Sequence, residues 1–162
     1  MLGIASELYL FAKEDALNGL VNPQDDAAGT SNRPTHPTIL VVDDQQMIAD
    51  TTAMVLNRFG FRATRAYSGD SALEMAVRLR PDYLLTDILM PGLNGVDLAI
   101  AIREQLPATI IVLISGQAGI SDVLRQAKDD GYEFDLLAKP IHPEKLLEHL
   151  RRKAPRFWER EG

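Results

Sequence analysis

The chain has 162 residues, a formal net charge of −6, a pI near 5.0 and no cysteine. That length suits one domain of ordinary size plus something small, with apolar content enough for a real core. The acidic balance argues against nucleic acid as a main partner, and the missing thiols exclude disulfide frameworks, thiolate metal sites and cysteine nucleophiles.

Residues 1–21 carry Ile4, Leu8, Phe11, Leu17 and Leu20 at roughly helical spacing, a weak amphipathic signal. Glu7 and Lys13-Glu14-Asp15 interrupt the segment, which therefore lacks the continuous apolar core of a signal peptide. No later apolar stretch is long enough to span a bilayer, so a soluble, cytoplasmic protein with no membrane insertion is expected. Residues 22–37 are polar, with three prolines and a glycine, and read as a linker. Residues 1–37 are thus expected to form a loosely attached extension.

From Thr38 the pattern becomes regular. Thr38 to Val42 is β-branched and apolar, as expected of a strand covered on both faces, and it stops at Asp43-Asp44. A helix is predicted from about Gln45 to Phe59, with Ile48, Val55 and Phe59 inward and Gly60 as its stop. Phe61 to Ala66 is half-polar and suits an edge strand. Ser68 and Asp70 supply N-cap chemistry for a helix through Leu79 that uses Leu73, Ala76 and Val77, and Pro81 closes it. Tyr83 to Thr86 is a short apolar run ending on the carboxylate of Asp87, followed by a loop built on Pro91-Gly92 and Asn94-Gly95.

A helix over Val96 to Leu106 turns Leu98, Ile102 and Leu106 inward. Thr109 to Ile114 is the most apolar run, expected as a central strand, and stops at Ser115-Gly116. A helix from Ile120 to Asp130 precedes a fifth strand, Phe134 to Ala138, which ends at Lys139-Pro140. Pro143 opens the last helix, and Arg151-Arg152-Lys153 at its end complement the helix dipole rather than form a nucleic-acid patch. The predicted fold is α/β: a five-stranded parallel sheet with helices on both faces, doubly wound, over residues 38–153. Residues 154–162 form a tail containing Trp158.

In a parallel sheet all carboxyl ends of the strands lie on one edge, where ligands bind. That edge collects Asp43, Asp44, Asp87, Ser115 and Lys139. Each has a plain structural use: Asp43 as a helix cap, Asp87 as a turn residue, Ser115 as a turn residue, Lys139 as a surface charge. Five of them together point instead to a polar site. Three crowded carboxylates repel unless a cation is present, and hard oxygen ligands with room for water suit Mg²⁺. With Lys139 opposite, Asp87 is then set to act as a nucleophile toward phosphorus, and Ser115 to hydrogen-bond a phosphoryl oxygen.

These pieces resemble the receiver domain of two-component response regulators. The matching segments are Val41-Val42-Asp43-Asp44, the run from Leu84 to Gly95 with its Asp-x-x-Met-Pro-x-x-x-Gly pattern, Ile114-Ser115-Gly116 and Ala138-Lys139-Pro140. The resemblance implies a flavodoxin-like, receiver-type fold and Asp87 as phosphoacceptor for a sensor histidine kinase or a histidine phosphotransfer protein. It implies Mg²⁺ held by Asp43, Asp44, Asp87 and the backbone carbonyl of Leu89, with Ser115 at the switch position and Lys139 gripping the phosphoryl group. The Lys139-Pro140 peptide would be cis. Leu89 and Gln117 would shape water access to the acyl phosphate.

One departure stands out: relatives usually carry Tyr or Phe three residues before the lysine, and here Leu136 takes that place, with Tyr132 and Phe134 out of register. The coupling of the site to the surface of the fourth helix, fifth strand and fifth helix is thereby placed in question. The expected activity is that of a signalling switch, not an enzyme on a separate substrate. With no DNA-binding segment after the receiver, output is expected through contacts with a downstream protein whose identity the sequence does not name, and a homodimer is one form of such contact. Two other readings stay open: a pseudo-receiver that serves as an interaction module without phosphorylation, and a Mg²⁺-dependent phosphohydrolase. Against the last, there is no cap segment, and His36, His142 and His149 fall off the predicted site. The Trp158 tail and the N-terminal segment are docking or dimer surfaces, or inert ends.

Overall fold

The structure, a computed structural model, describes residues 36–116 and 121–158. The N-terminal amphipathic segment, most of the linker, Gln117 and the predicted helix start at Ile120 lie outside the described residues. The elements run β1 (Thr38–Val42), α1 (Gln46–Arg58), β2 (Arg62–Ala66), α2 (Gly69–Leu79), β3 (Tyr83–Asp87), α3 (Gly95–Gln105), β4 (Ile110–Ser115), α4 (Ser121–Asp129), β5 (Asp135–Ala138) and α5 (Pro143–Lys153). A 3₁₀ turn, Pro155–Phe157, follows. The five strands form one sheet in the order β2-β1-β3-β4-β5, and every pairing is parallel.

Alternation along the strands divides the core in two, because successive side chains point to opposite faces. Ile39, Val41, Tyr83, Leu85 and Val112 pack with Ala53 and Leu56 of α1 and Leu146, Leu147 and Leu150 of α5. Leu40, Val42, Leu84, Ile111 and Leu113 pack on the other face with Ala72 and Ala76 of α2, Leu98 and Ile102 of α3 and Ala127 of α4. Burial of each large side chain contributes about 1.5–3 kcal/mol, which is why the interior strands read as unbroken apolar runs. The half-polar β2 is an edge strand, as its composition indicates. The apolar β4 is interior, paired on both sides with β3 and β5, as its composition indicates.

Ser68 and Asn94 cap α2 and α3, each side chain accepting from a backbone N–H three residues on, Ser71 and Asp97 respectively. Val77 departs from expectation. It is exposed, because α2 turns Gly69, Ala72 and Ala76 to the sheet and Val77 lies one position, about 100°, round the helix from Ala76. The small residues let α2 approach closely, and a branched side chain is left outside. Phe59, also expected inward, is only partly buried at the end of α1.

The amino ends of β1 and β3 are stapled by Asp82, whose carboxylate accepts from the Thr38 amide at 2.8 Å and the Thr38 hydroxyl at 3.0 Å. This fixes a register in which Val42 pairs with Thr86, so Asp43 and Asp87 emerge side by side. At the same amino end, residues after α5 fold back onto the core face shared by α1 and α5. The Trp158 ring lies 5.0 Å from that of Phe61, Arg151 stacks over it at 5.0 Å, and Phe157 lies 6.1 Å from Tyr83.

Candidate functional site

The order β2-β1-β3-β4-β5 reverses its direction of growth between β1 and β3, and the crevice at such a switch point is where open α/β sheets bind ligands. Asp43 follows the last residue of β1, Asp87 ends β3, Ser115 ends β4 and Lys139 follows β5. The structure brings the five predicted residues to this edge. Lys139 Nζ lies 3.3 Å from Asp43 Oδ2 and 3.5 Å from Asp87 Oδ2, bridging two carboxylates that stand 44 residues apart in sequence. Carboxylate oxygens of Asp43, Asp44 and Asp87 lie within 4.8 Å of one another. Asp43 and Ser115 are buried, while Asp44 is exposed at the rim.

Backbone groups orient the acids. The Ile88 amide donates to Asp87 Oδ1 at 2.9 Å, and the Gln45 amide donates to Asp43 Oδ1, also at 2.9 Å. Lys139 is placed from behind: its amide donates to the Ser115 carbonyl at 2.7 Å, and its stem packs along Gly116. The Lys139-Pro140 peptide is cis, in line with the resemblance.

Beneath the polar groups lies an apolar cavity of about 40 Å³ with Val41, Ile48, Leu85, Ile114, Ile141 and Leu146 in its wall. These apolar walls offer the carboxylates no polar partner on that side. Burial accordingly pushes the Asp43 carboxyl above its ordinary value, against the opposing pull of the Gln45 amide and the Lys139 ammonium. Asp87 is raised too, first by burial and then by the charges of Asp43 and Asp44, while Lys139 and the Ile88 amide pull it down. The cluster is short of positive charge. A small hard cation beside the exposed Asp44 is what this donor set accommodates.

Comparison with known proteins agrees with this geometry. The family model for the response regulator receiver domain matches residues 39–151. The chain belongs to the receiver domain family. The receiver is 30% identical over 114 residues to the probable transcriptional regulatory protein TcrX of Mycobacterium tuberculosis, covering 70% of this chain and 48% of TcrX. It is 37% identical over 83 residues to the autoinducer 1 sensor kinase/phosphatase LuxN of Vibrio harveyi, covering 51% of this chain and 10% of LuxN. Thus the chain spans about half of one such relative and a small part of another. Among solved structures, the chemotaxis protein CheY4 of Vibrio cholerae superposes with a TM-score of 0.64 at 28% identity, over 72% of this chain and 98% of that one. The receiver is a switch module of two-component signalling, and no described helix is long and apolar enough to cross a membrane.

Two further features of the receiver were not evident from residue types. Gly95, the first residue of α3, has room for no side chain: a Cβ there would lie 2.0 Å from the Asp87 carbonyl oxygen. Its amide donates to the Ile88 carbonyl at 2.8 Å, closing the loop that follows Asp87. The Asn94-Gly95 pair signals the turn but not this approach. The second feature concerns the aromatics. Leu136, in the usual aromatic position, is 43% exposed. The Tyr132 and Phe134 rings stack at 6.3 Å, Tyr132 donates to Glu104 at 2.5 Å, and Arg103 lies over Phe134 at 5.0 Å. These rings anchor the segment before β5 to α3, outside the site.

Proposed function

We propose that Asp87 is the phosphoacceptor of a two-component or phosphorelay pathway, taking its phosphoryl group from phosphohistidine on a sensor kinase or phosphotransfer protein. The observation that carries this reading is the bridging of Asp43 and Asp87 by Lys139 at 3.3 and 3.5 Å above an apolar floor. An Asp87 oxygen attacks phosphorus, the bond to the donor imidazole breaks, and the product is an acyl phosphate on Asp87. The Lys139 ammonium turns from carboxylate to phosphoryl oxygen, and Ser115 supplies a hydroxyl from the neighbouring strand. Asp43, Asp44, Asp87 and the Leu89 carbonyl would hold Mg²⁺, which supplies charge neutralisation for the transferring group. Water attack on the acyl phosphate resets the switch.

Phosphorylation adds negative charge and strong acceptors to a buried pocket, which favours one of two arrangements of the surrounding loops. The readout is a change in contact with another protein. The net charge of −6 supports a protein rather than a nucleic acid as that partner.

Incubation with acetyl phosphate and Mg²⁺ followed by intact mass tests the assignment. One phosphoryl adduct is expected on the wild type, and none on Asp87→Ala or in the presence of a chelator. A folded wild type that also fails to take phosphate from a phosphohistidine donor would identify an interaction module instead.

A further inference from the structure

A second concave surface lies away from the Asp87 edge. The end of α1 and the outer side of α5 border a groove of about 460 Å³ lined by Phe59, Glu144, Leu147, Glu148, Arg151 and Arg152. Phe59 and Leu147 supply its apolar part, and the rim is charged. The last turn of α5 carries Arg151, Arg152 and Lys153. Lys153 pairs with Asp135 at 2.6 Å, whereas the Arg152–Glu148 pair is a loose one at 4.0 Å between exposed side chains. The Arg152 end of the groove therefore keeps positive charge facing solvent.

The described chain starts next to this groove. A Cβ on Gly60 would lie 3.9 Å from His36 Cδ2, and Gly60 is the residue after Phe59. Residues 22–35 are fourteen polar, Pro- and Gly-containing positions, whose root-mean-square span is about 20 Å for a flexible chain. Upstream of them Ile4, Leu8 and Phe11 follow the i, i+4, i+7 spacing by which an amphipathic helix anchors in a groove. That segment carries Glu7, Glu14 and Asp15 against a single Lys13, complementary in sign to the basic end of α5.

We propose that residues 4–20 form an amphipathic helix that docks in cis in the groove between α1 and α5. Ile4, Leu8 and Phe11 meet Phe59 and Leu147, and the acidic residues face Arg151 and Arg152. The short tether holds the segment at an effective concentration of about millimolar, so an individually weak contact is still populated. Docking covers the outer side of α5, the helix that follows Lys139.

The absence of native cysteine allows a spin label to be placed at one chosen position in the full chain. The exposed residue Glu148 marks the groove, and the exposed residue Glu74 on α2 marks the opposite face. With the label on Glu148→Cys, the amide signals of residues 4–20 are expected to be lost. They are expected to be retained with the label on Glu74→Cys. They are also expected to be retained when isotope-labelled wild type is mixed with spin-labelled, isotope-free Glu148→Cys. Adding Leu8→Ser and Phe11→Ser to the Glu148→Cys chain should restore the signals without disturbing those of the sheet. Signal loss in the mixed sample would overturn cis docking in favour of a second copy. Signals untouched by the groove label, or lost equally from both positions, would overturn docking at this groove. The experiment uses no phosphoryl donor, so its outcome is independent of the role of Asp87.

Discussion

Among the described residues Lys139 is the one cation placed among the site's three carboxylates, and that imbalance has a measurable consequence. Burial and mutual repulsion raise Asp87 above the ordinary 3.8, so its charge opposes folding at neutral pH when no metal is added. Asp87→Asn is therefore expected to raise the urea midpoint in a chelator at pH 7. On acidification the folded wild type takes up its proton before the unfolded chain does, and stability is regained as pH falls. The gap between variant and wild type should narrow from the raised folded value downward and vanish below 3.8, where both states are protonated. A gap independent of pH would show that packing, not charge, separates the two proteins. Gly95→Ala acts through space instead. Its Cβ would collide with the Asp87 carbonyl, so phosphoryl adduct on acetyl phosphate treatment should fall severely even where the far-ultraviolet circular dichroism is unchanged. The convergence of Asp43, Asp87, Ser115 and Lys139 was legible in the sequence, because parallel strands deliver their ends to one edge. The Gly95 contact was not, since it depends on how closely α3 passes the end of β3.

Strands and helices followed the pattern of apolar runs and caps, and the misses have local causes. Periodicity assigned Val77 to the inward face of α2, yet the glycine and alanines beside it decide which side meets the sheet. The tail was harder, since three or four residues carry no periodicity, and only tertiary structure places Phe157 and Trp158 against Phe61 and Tyr83. Tyr83 links these elements, donating its hydroxyl to the Leu150 carbonyl of α5 at 2.8 Å. That carbonyl lies near the end of the helix, where carbonyls run short of intrahelical donors. Tyr83→Phe leaves it buried and unpaired, at a cost of about 1–3 kcal/mol in the urea midpoint. Burial also raises the phenol above its ordinary 10.0. The unfolded chain then ionises first, so the contribution of Tyr83 is complete below pH 10 and is lost as pH rises toward the folded value. Tyr83→Phe should lack this alkaline loss, and a variant that loses stability as steeply as the wild type would assign the slope to other groups.

At the scale of the whole molecule, an ion held by the acidic cluster would be linked to folding. Asp43 and Asp44 leave β1 while Asp87 ends β3, and only the parallel sheet, pinned by Asp82 at its other end, brings their oxygens within 4.8 Å. The unfolded chain holds no such cluster. A divalent cation that occupies it binds the folded state alone and should stabilise it by about 2.7 kcal/mol at a hundredfold excess over its dissociation constant. The gain should exceed what a surface acidic patch provides, since the ion also offsets the burial that raises Asp43 and Asp87. Asp44 separates this effect from packing. Its side chain is exposed and belongs to neither core cluster, so Asp44→Ala in a chelator should melt close to the wild type. With Mg²⁺ added, the wild-type midpoint should climb with concentration while that of Asp44→Ala stays nearly flat. If both climb alike, the ion is held elsewhere and the carboxylate cluster is not its site. If only the wild type climbs, the acidic cluster of Asp43, Asp44 and Asp87 ties the stability of the sheet to the ion.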